Sequence, residues 1–149
     1  MKQEMYILID FLVNKFKEHP LTNTIVFGLS QLGDISKTNI YPLVHIIPFN
    51  ITPGNNYFKL TFEVAVLNRR DSNQKLNNDK IFSDNLIYNL SETAKIIHNT
   101  ISDIKTLNNN YGISLESDNE AEIIMFGDKN ILDGYRIIID LSIPSLDCY

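Results

Sequence analysis

The sequence predicts an α+β fold, an antiparallel sheet of two hairpins plus a short strand, covered by one long helix and joined by a shorter N-terminal helix. Three observations predict it. Across residues 83–107, Leu86, Leu90, Ala94, Ile97, Ile101 and Ile104 recur every three or four positions, while Asn85, Asn89, Glu92, Lys95, Asn99, Ser102 and Asp103 fall largely elsewhere on the wheel. From 57 to 67 the period drops to two: Phe58, Leu60, Phe62, Val64 and Val66 share one face, and Lys59, Thr61 and Glu63 the other. Strand signals also arrive in pairs instead of alternating singly with helices, which is the pattern of an antiparallel sheet.

Taken in order, Met5, Leu8, Ile9, Leu12, Val13 and Phe16 have helical spacing, and His19-Pro20 ends that helix because proline cannot continue the hydrogen-bond ladder. Residues 24–29 form a β-prone run closed by Gly28, and residues 31–39, with Gly33-Asp34, read as a turn-bearing loop. Residues 40–49 are apolar almost without a break. Pro42 and Pro48 each remove a ladder donor there, so this strand is expected at an edge or a bend. Pro53-Gly54-Asn55 is the strongest turn signal in the chain and predicts a hairpin between 40–49 and 57–67. Residues 68–80 read as a long polar loop, with Ser83 as the helix cap and Asp84 in the first helical turn. Asn108, Asn109, Asn110 and Gly112 stop the helix. Residues 121–126 then pair across a turn at 127–134 with Tyr135, Ile137, Ile139, Leu141 and Ile143, which alternate with Arg136, Asp140 and Ser142.

At 149 residues the chain fits one domain, 1–149, large enough to bury a core without disulfides or a metal. Cys148 is the single cysteine, so no intramolecular disulfide can form. A net charge of −5 argues against a protein that wraps nucleic acid, which would present a basic face. No apolar run approaches the length of a membrane span or forms a signal peptide.

No residue pattern specifies a chemistry. His19, His45 and His98 have no partner at metal-ligand spacing, and each has a structural explanation at a helix end, in a strand or beside a helix face. Asp118, Glu120 and Glu122 cluster where a solvated turn accounts for them, and Ser30, Ser36 and Ser91 lack a nucleophile-elbow context. The six glycines fit no phosphate loop and all fall at turns or strand ends in this reading. No catalytic residue, metal site or cofactor is therefore expected. Surplus polar projections usually serve binding, which makes the hairpin tip (51–56) and the 68–80 loop the expected contacts with neighbouring chains. The residues singled out are Tyr41, Pro53, Asn55, Arg69, Arg70, Asp71, Asn73 and Asn77.

The succession Ile25-Val26-Phe27-Gly28, Gly33-Asp34-Ile35, Tyr41-Pro42-Leu43-Val44-His45-Ile46 and Val64-Ala65-Val66-Leu67, followed by an Asn/Asp-rich loop into the long helix, resembles small neck proteins of tailed bacteriophages. The likeness is to those of crAss-like and related Bacteroidetes phages, runs from about residue 24 to 144, and includes the closing strand from Gly134-Tyr135 to Pro144. It implies a tail-terminator-like, head-to-tail connector domain without catalytic residues. Such a protein is expected in the virion neck as a homo-oligomeric ring of twelve or six copies, contacting the portal and other neck or tail proteins. DNA meets it only in passage through the lumen, and no membrane is involved. A small α+β binding module or adaptor is the alternative.

Overall fold

A computed structural model describes residues 2–28, 40–70, 85–106, 110–116, 120–126 and 132–145. The order is α1 (Lys2–Lys17), β1 (Thr24–Phe27), β2 (Leu43–Pro53), β3 (Tyr57–Arg69), α2 (Leu86–Thr106), β4 (Ser114–Leu115), β5 (Glu122–Phe126) and β6 (Leu132–Pro144). The strands form one six-stranded sheet, β1-β2-β3-β6-β4, with β5 also on β6. It is mostly antiparallel, with the long helix and the shorter N-terminal helix packed on it. Both predicted hairpins form, β2–β3 and β5–β6, and β3 pairs with β6 along its whole length.

Register explains the core. Phe58, Leu60, Phe62, Val64 and Val66 stand opposite Ile143, Leu141, Ile139, Ile137 and Tyr135. Strictly alternating strands place all of these side chains on one face. There they join Leu8, Leu12 and Phe16 of α1 with Ile96, Ile97 and Ile104 of α2 in a single cluster. Both helices therefore cover the same face. The other face is more polar: Thr61 donates to Asp140, and Arg136 bridges Glu63 at 3.2 Å and Glu122 at 2.9 Å. Flanked by two carboxylates, the Arg136 guanidinium holds its proton more tightly than usual.

Several expectations are corrected. The short strand β1 runs parallel to β2, with Thr24 opposite Leu43. Hydrophobic pattern carries no strand direction, and the stretch between Phe27 and Leu43 is long enough for a parallel crossover, which needs a dozen or more residues. Strand β2 starts at Leu43 and continues to Pro53, so the turn narrows to Gly54-Asn55-Asn56. Asn68 and Arg69 belong to β3 and not to a loop. β4 escaped notice because two residues carry no period.

Gly134 lies inside β6, opposite Leu67, and not in a turn. A Cβ there would sit 1.8 Å from the Val66 carbonyl oxygen, so glycine is required by the closeness of β3. The buried face of α2 also differs from the predicted one: it comprises Asn89, Thr93, Ile96, Ile97, Thr100 and Ile104. Asn89 and Thr93 are buried because their polar groups are satisfied internally. The Thr93 hydroxyl donates to the Asn89 carbonyl at 2.7 Å, and the Asn89 amide donates to Asp133 at 3.3 Å. The helix begins at Leu86 with Asn85 at the N-cap position, its carbonyl accepting the Asn89 amide at 2.9 Å. The 31–39 turn, the Ser83 and Asp84 cap, Asn108, Asn109, Gly127 and Cys148 lie outside the described residues.

Candidate functional site

The expected contact residues separate to the two ends of the β2–β3 hairpin. Pro53 and Asn55 are exposed at the turn. Tyr41, Arg69 and Arg70 lie at the other end, about 40 Å away along the 13 residues of β3. Asp71, Asn73 and Asn77 lie outside the described residues. Tyr41 is half-buried; loss of solvent raises its phenol pKa and the Arg69 charge partly offsets that. Its carbonyl accepts the Asn23 side-chain amide at 2.7 Å.

Arg70 is not free to reach outward. Its Nε donates to Asp133 Oδ2 at 2.9 Å and a terminal nitrogen to Oδ1, and the Asp133 side chain is fully buried. Beside this pair, Asn68 donates to Glu92 at 2.9 Å and the Tyr88 hydroxyl donates to the same carboxylate at 2.7 Å. The bond to Glu92 raises the Tyr88 pKa, because the carboxylate accepts from the protonated phenol and its charge disfavours the phenolate. The result is a polar layer tying the start of α2 to the ends of β3 and β6. The sequence carried one signal for it, an asparagine and a threonine one helical turn apart, Asn89 and Thr93. Above the layer lies a polar cleft of about 380 Å³ between Leu21, Pro42, Asn85 and Tyr88.

The histidines do not converge. His45 is buried in β2, its Nε2 sharing a 2.6 Å hydrogen bond with the Gly28 carbonyl, an acceptor, so that nitrogen carries the proton. The His19 Nδ1 accepts the Leu21 backbone N–H at 3.2 Å, and its Nε2 meets the Asn99 amide group at 3.2 Å. Burial lowers the His19 pKa, with Asp103 opposing and Lys95 adding to the shift. His98 is exposed on α2. Of the carboxylate cluster, Glu122 pairs with Arg136, Glu120 is exposed, and Asp118 lies outside the described residues. Among the described residues, no group of three His, Cys, Asp or Glu side chains is placed to hold a metal. Among them also, no helix is long and apolar enough to cross a membrane.

What the sheet presents, among the described residues, is two ends with no further strand beyond them. Thr24 and Gly28 amides donate to the Pro42 and Ile46 carbonyls, so the main-chain groups of Ile25 and Phe27 point away from β2. At the opposite end, the Asp140 carbonyl accepts the Glu116 amide, which shows that even-numbered residues of β6 face β4 and β5. Their partners Glu122, Ile124 and Phe126 therefore spend their main-chain groups on β6, and those of Ile123 and Met125 point off the sheet. Phe27, Ile123 and Met125 are 42%, 58% and 60% exposed, which marks both ends as apolar as well as unpaired among the described residues. Next to β5 an apolar groove of about 350 Å³ runs along α2, floored by Ile97, Ile101, Tyr135 and Ile137.

A third edge is blocked. Beyond Ile46 no described strand covers the outer side of β2. Ile46 has main-chain groups facing β1, so by alternation Pro48 also points outward. After the bulge between Pro48 and Asn50, Gly54 bonds Tyr57, so Asn50 and Thr52 face β3 while Ile51 and Pro53 point outward. Prolines thus occupy two of the outward positions, where a missing N–H costs the sheet nothing and denies a donor to an incoming strand. The expectation of a proline-bearing edge holds for this half of β2; the Leu43 to Ile46 half is covered by β1.

No family model matches the chain, and no curated protein matches it significantly.

Proposed function

We propose that this chain is a structural subunit of a closed ring in the neck of a tailed phage, connecting portal to tail and letting DNA pass. The observation that carries the self-assembly part is the pair of open, apolar sheet ends on opposite sides of one domain, separated by a proline-blocked edge. A strand end open on each side favours head-to-tail contacts, and such contacts close into rings when the rotation per subunit divides a full turn. The resemblance of residues 24–144 to phage neck proteins supplies the location. Charge fits a conduit: at −5 per chain, twelve copies carry −60 (12 × −5), and the share facing the lumen repels phosphates. Arg69, exposed at the end of β3, is assigned to neighbouring proteins; Arg70 is committed to Asp133.

The polar cleft beside Asn85 and Tyr88 favours the second reading, a binding module without catalysis. Cryo-electron microscopy of intact particles separates the two. The ring reading expects density for this chain on the portal-to-tail axis with an acidic lumen. Absence from particles refutes it, and a lumen lined mainly with Lys and Arg refutes the charge argument.

A further inference from the structure

Granting the self-assembly reading, we infer that the ring closes by sheet addition, β1 of one copy pairing antiparallel with β5 of the next, Phe27 opposite Ile123 and Ile25 opposite Met125. Strand direction gives the orientation. β1 is parallel to β2, β2 antiparallel to β3, β3 to β6, and β6 to β5. β5 therefore runs opposite to β1, and a neighbour continuing the sheet without inversion brings the two together antiparallel.

Main-chain direction gives the register. The outward groups belong to Ile25 and Phe27 on one edge and to Ile123 and Met125 on the other, and pairing 25 with 125 and 27 with 123 is the register that engages both outward residues of each edge. The intervening pairs, Thr24 with Phe126 and Val26 with Ile124, fall at non-bonded positions.

Side-chain direction agrees independently. Ile25 and Phe27 stand opposite Val44 and Ile46, which are core residues, so they lie on the helix-covered face. Ile123 stands opposite Tyr135, which also packs against the core, so Ile123 and Met125 lie on that face too. Paired residues of an antiparallel ladder share a face, and this register sets Phe27 and Ile25 against Ile123 and Met125 on that face. No other partner is required to cover them.

The area decides how much more must touch. A strand pair of four and five residues is about 17 Å long, well short of the roughly 800 Å² per partner of a standard interface. Because α1 lies over β1, the same docking carries the neighbour's α1 toward the groove beside α2 and β5, which supplies the remaining apolar surface. One contact is then weak and a closed ring is stable, as expected of a subunit made soluble and assembled in place.

The test uses the full chain with Cys148 replaced by serine, carrying Phe27→Cys and Ile123→Cys together or singly. Oxidation should give disulfide-linked multimers from the double variant and none beyond background from either single variant. Ile123→Pro removes an outward donor without touching the β6 ladder, and should lower the sedimenting mass while the circular dichroism spectrum is retained. An oligomeric wild type whose double variant stays uncross-linked overturns the β1–β5 contact and leaves the ring reading standing. A wild type that sediments as a monomer at every concentration overturns both.

Discussion

The Arg70–Asp133 pair gives the sharpest test of the polar layer, because its two partners are buried to different degrees. Asp133 is fully buried and receives two guanidinium bonds and the Asn89 amide, while the Arg70 side chain is 16% exposed. We predict that Arg70→Met costs about 3–5 kcal/mol, since it strands a buried carboxylate on one amide donor. Asp133→Asn keeps the shape but removes the charge that the nearly buried guanidinium bonds, for a loss at the lower end of that range. For a chain of this size the range corresponds to a Tm lowered by about 6–20 °C. The double variant Arg70→Met/Asp133→Asn removes both charges and orphans neither, so its loss should fall short of the sum of the singles by about 2–3 kcal/mol. Thermal and urea melts followed by circular dichroism measure all three. Additive losses, or an Asp133→Asn variant within about 0.5 kcal/mol of wild type, would refute the claim that this pair ties α2 to the sheet.

Gly134→Ala is expected to destabilise strongly, by more than about 3 kcal/mol, because the added methyl meets main chain and only a shift of β3 relieves it; a melting point unchanged from wild type contradicts the observed register. On α2, Ile97→Asp should unfold the domain while Ile101→Asp, at a half-buried position, leaves a cooperative melt; equal behaviour of the two would show the helix face to be misassigned. His19 should destabilise the fold as pH drops. Its folded pKa lies below the unfolded value of about 6.5, so its contribution is present above that pH and lost as pH falls toward the folded pKa, when protonated Nδ1 can no longer accept the Leu21 amide. Urea midpoints between pH 7.5 and 5.5 should therefore fall more steeply for wild type than for His19→Gln, and parallel slopes would dismiss the effect.

Much of this fold was legible in the residues because β3 and β6 keep a strict two-fold period and both lie against one core. Helix α2 was legible in extent and partly misread in orientation. Periodicity counts Asn89 and Thr93 as wet, whereas a helix can bury an amide that finds Asp133 and a hydroxyl that bonds its own carbonyls. Gly134 was read as a turn because glycine marks turns more often than it marks a strand pressed against its neighbour. The assembly surface was half legible. Pro42 and Pro48 announced an edge or a bend, since proline lacks the donor, but Pro53 was read as part of the turn, and it is Pro48 and Pro53 that point outward from the uncovered half of β2. The open edges at Ile123 and Met125 emerge only from register, as main-chain direction alternates residue by residue and has no signature in side-chain type. Arg70 looked like an exposed anchor because its partner, Asp133, is 63 positions away.

Native mass spectrometry of the purified full-length chain tests self-assembly most directly. A subunit with two complementary sheet ends should populate a single closed species of six or twelve copies alongside monomer, with few intermediates, because only closure satisfies every edge. A monomer alone, a dimer that persists without growing, or an open ladder of every size would contradict the ring.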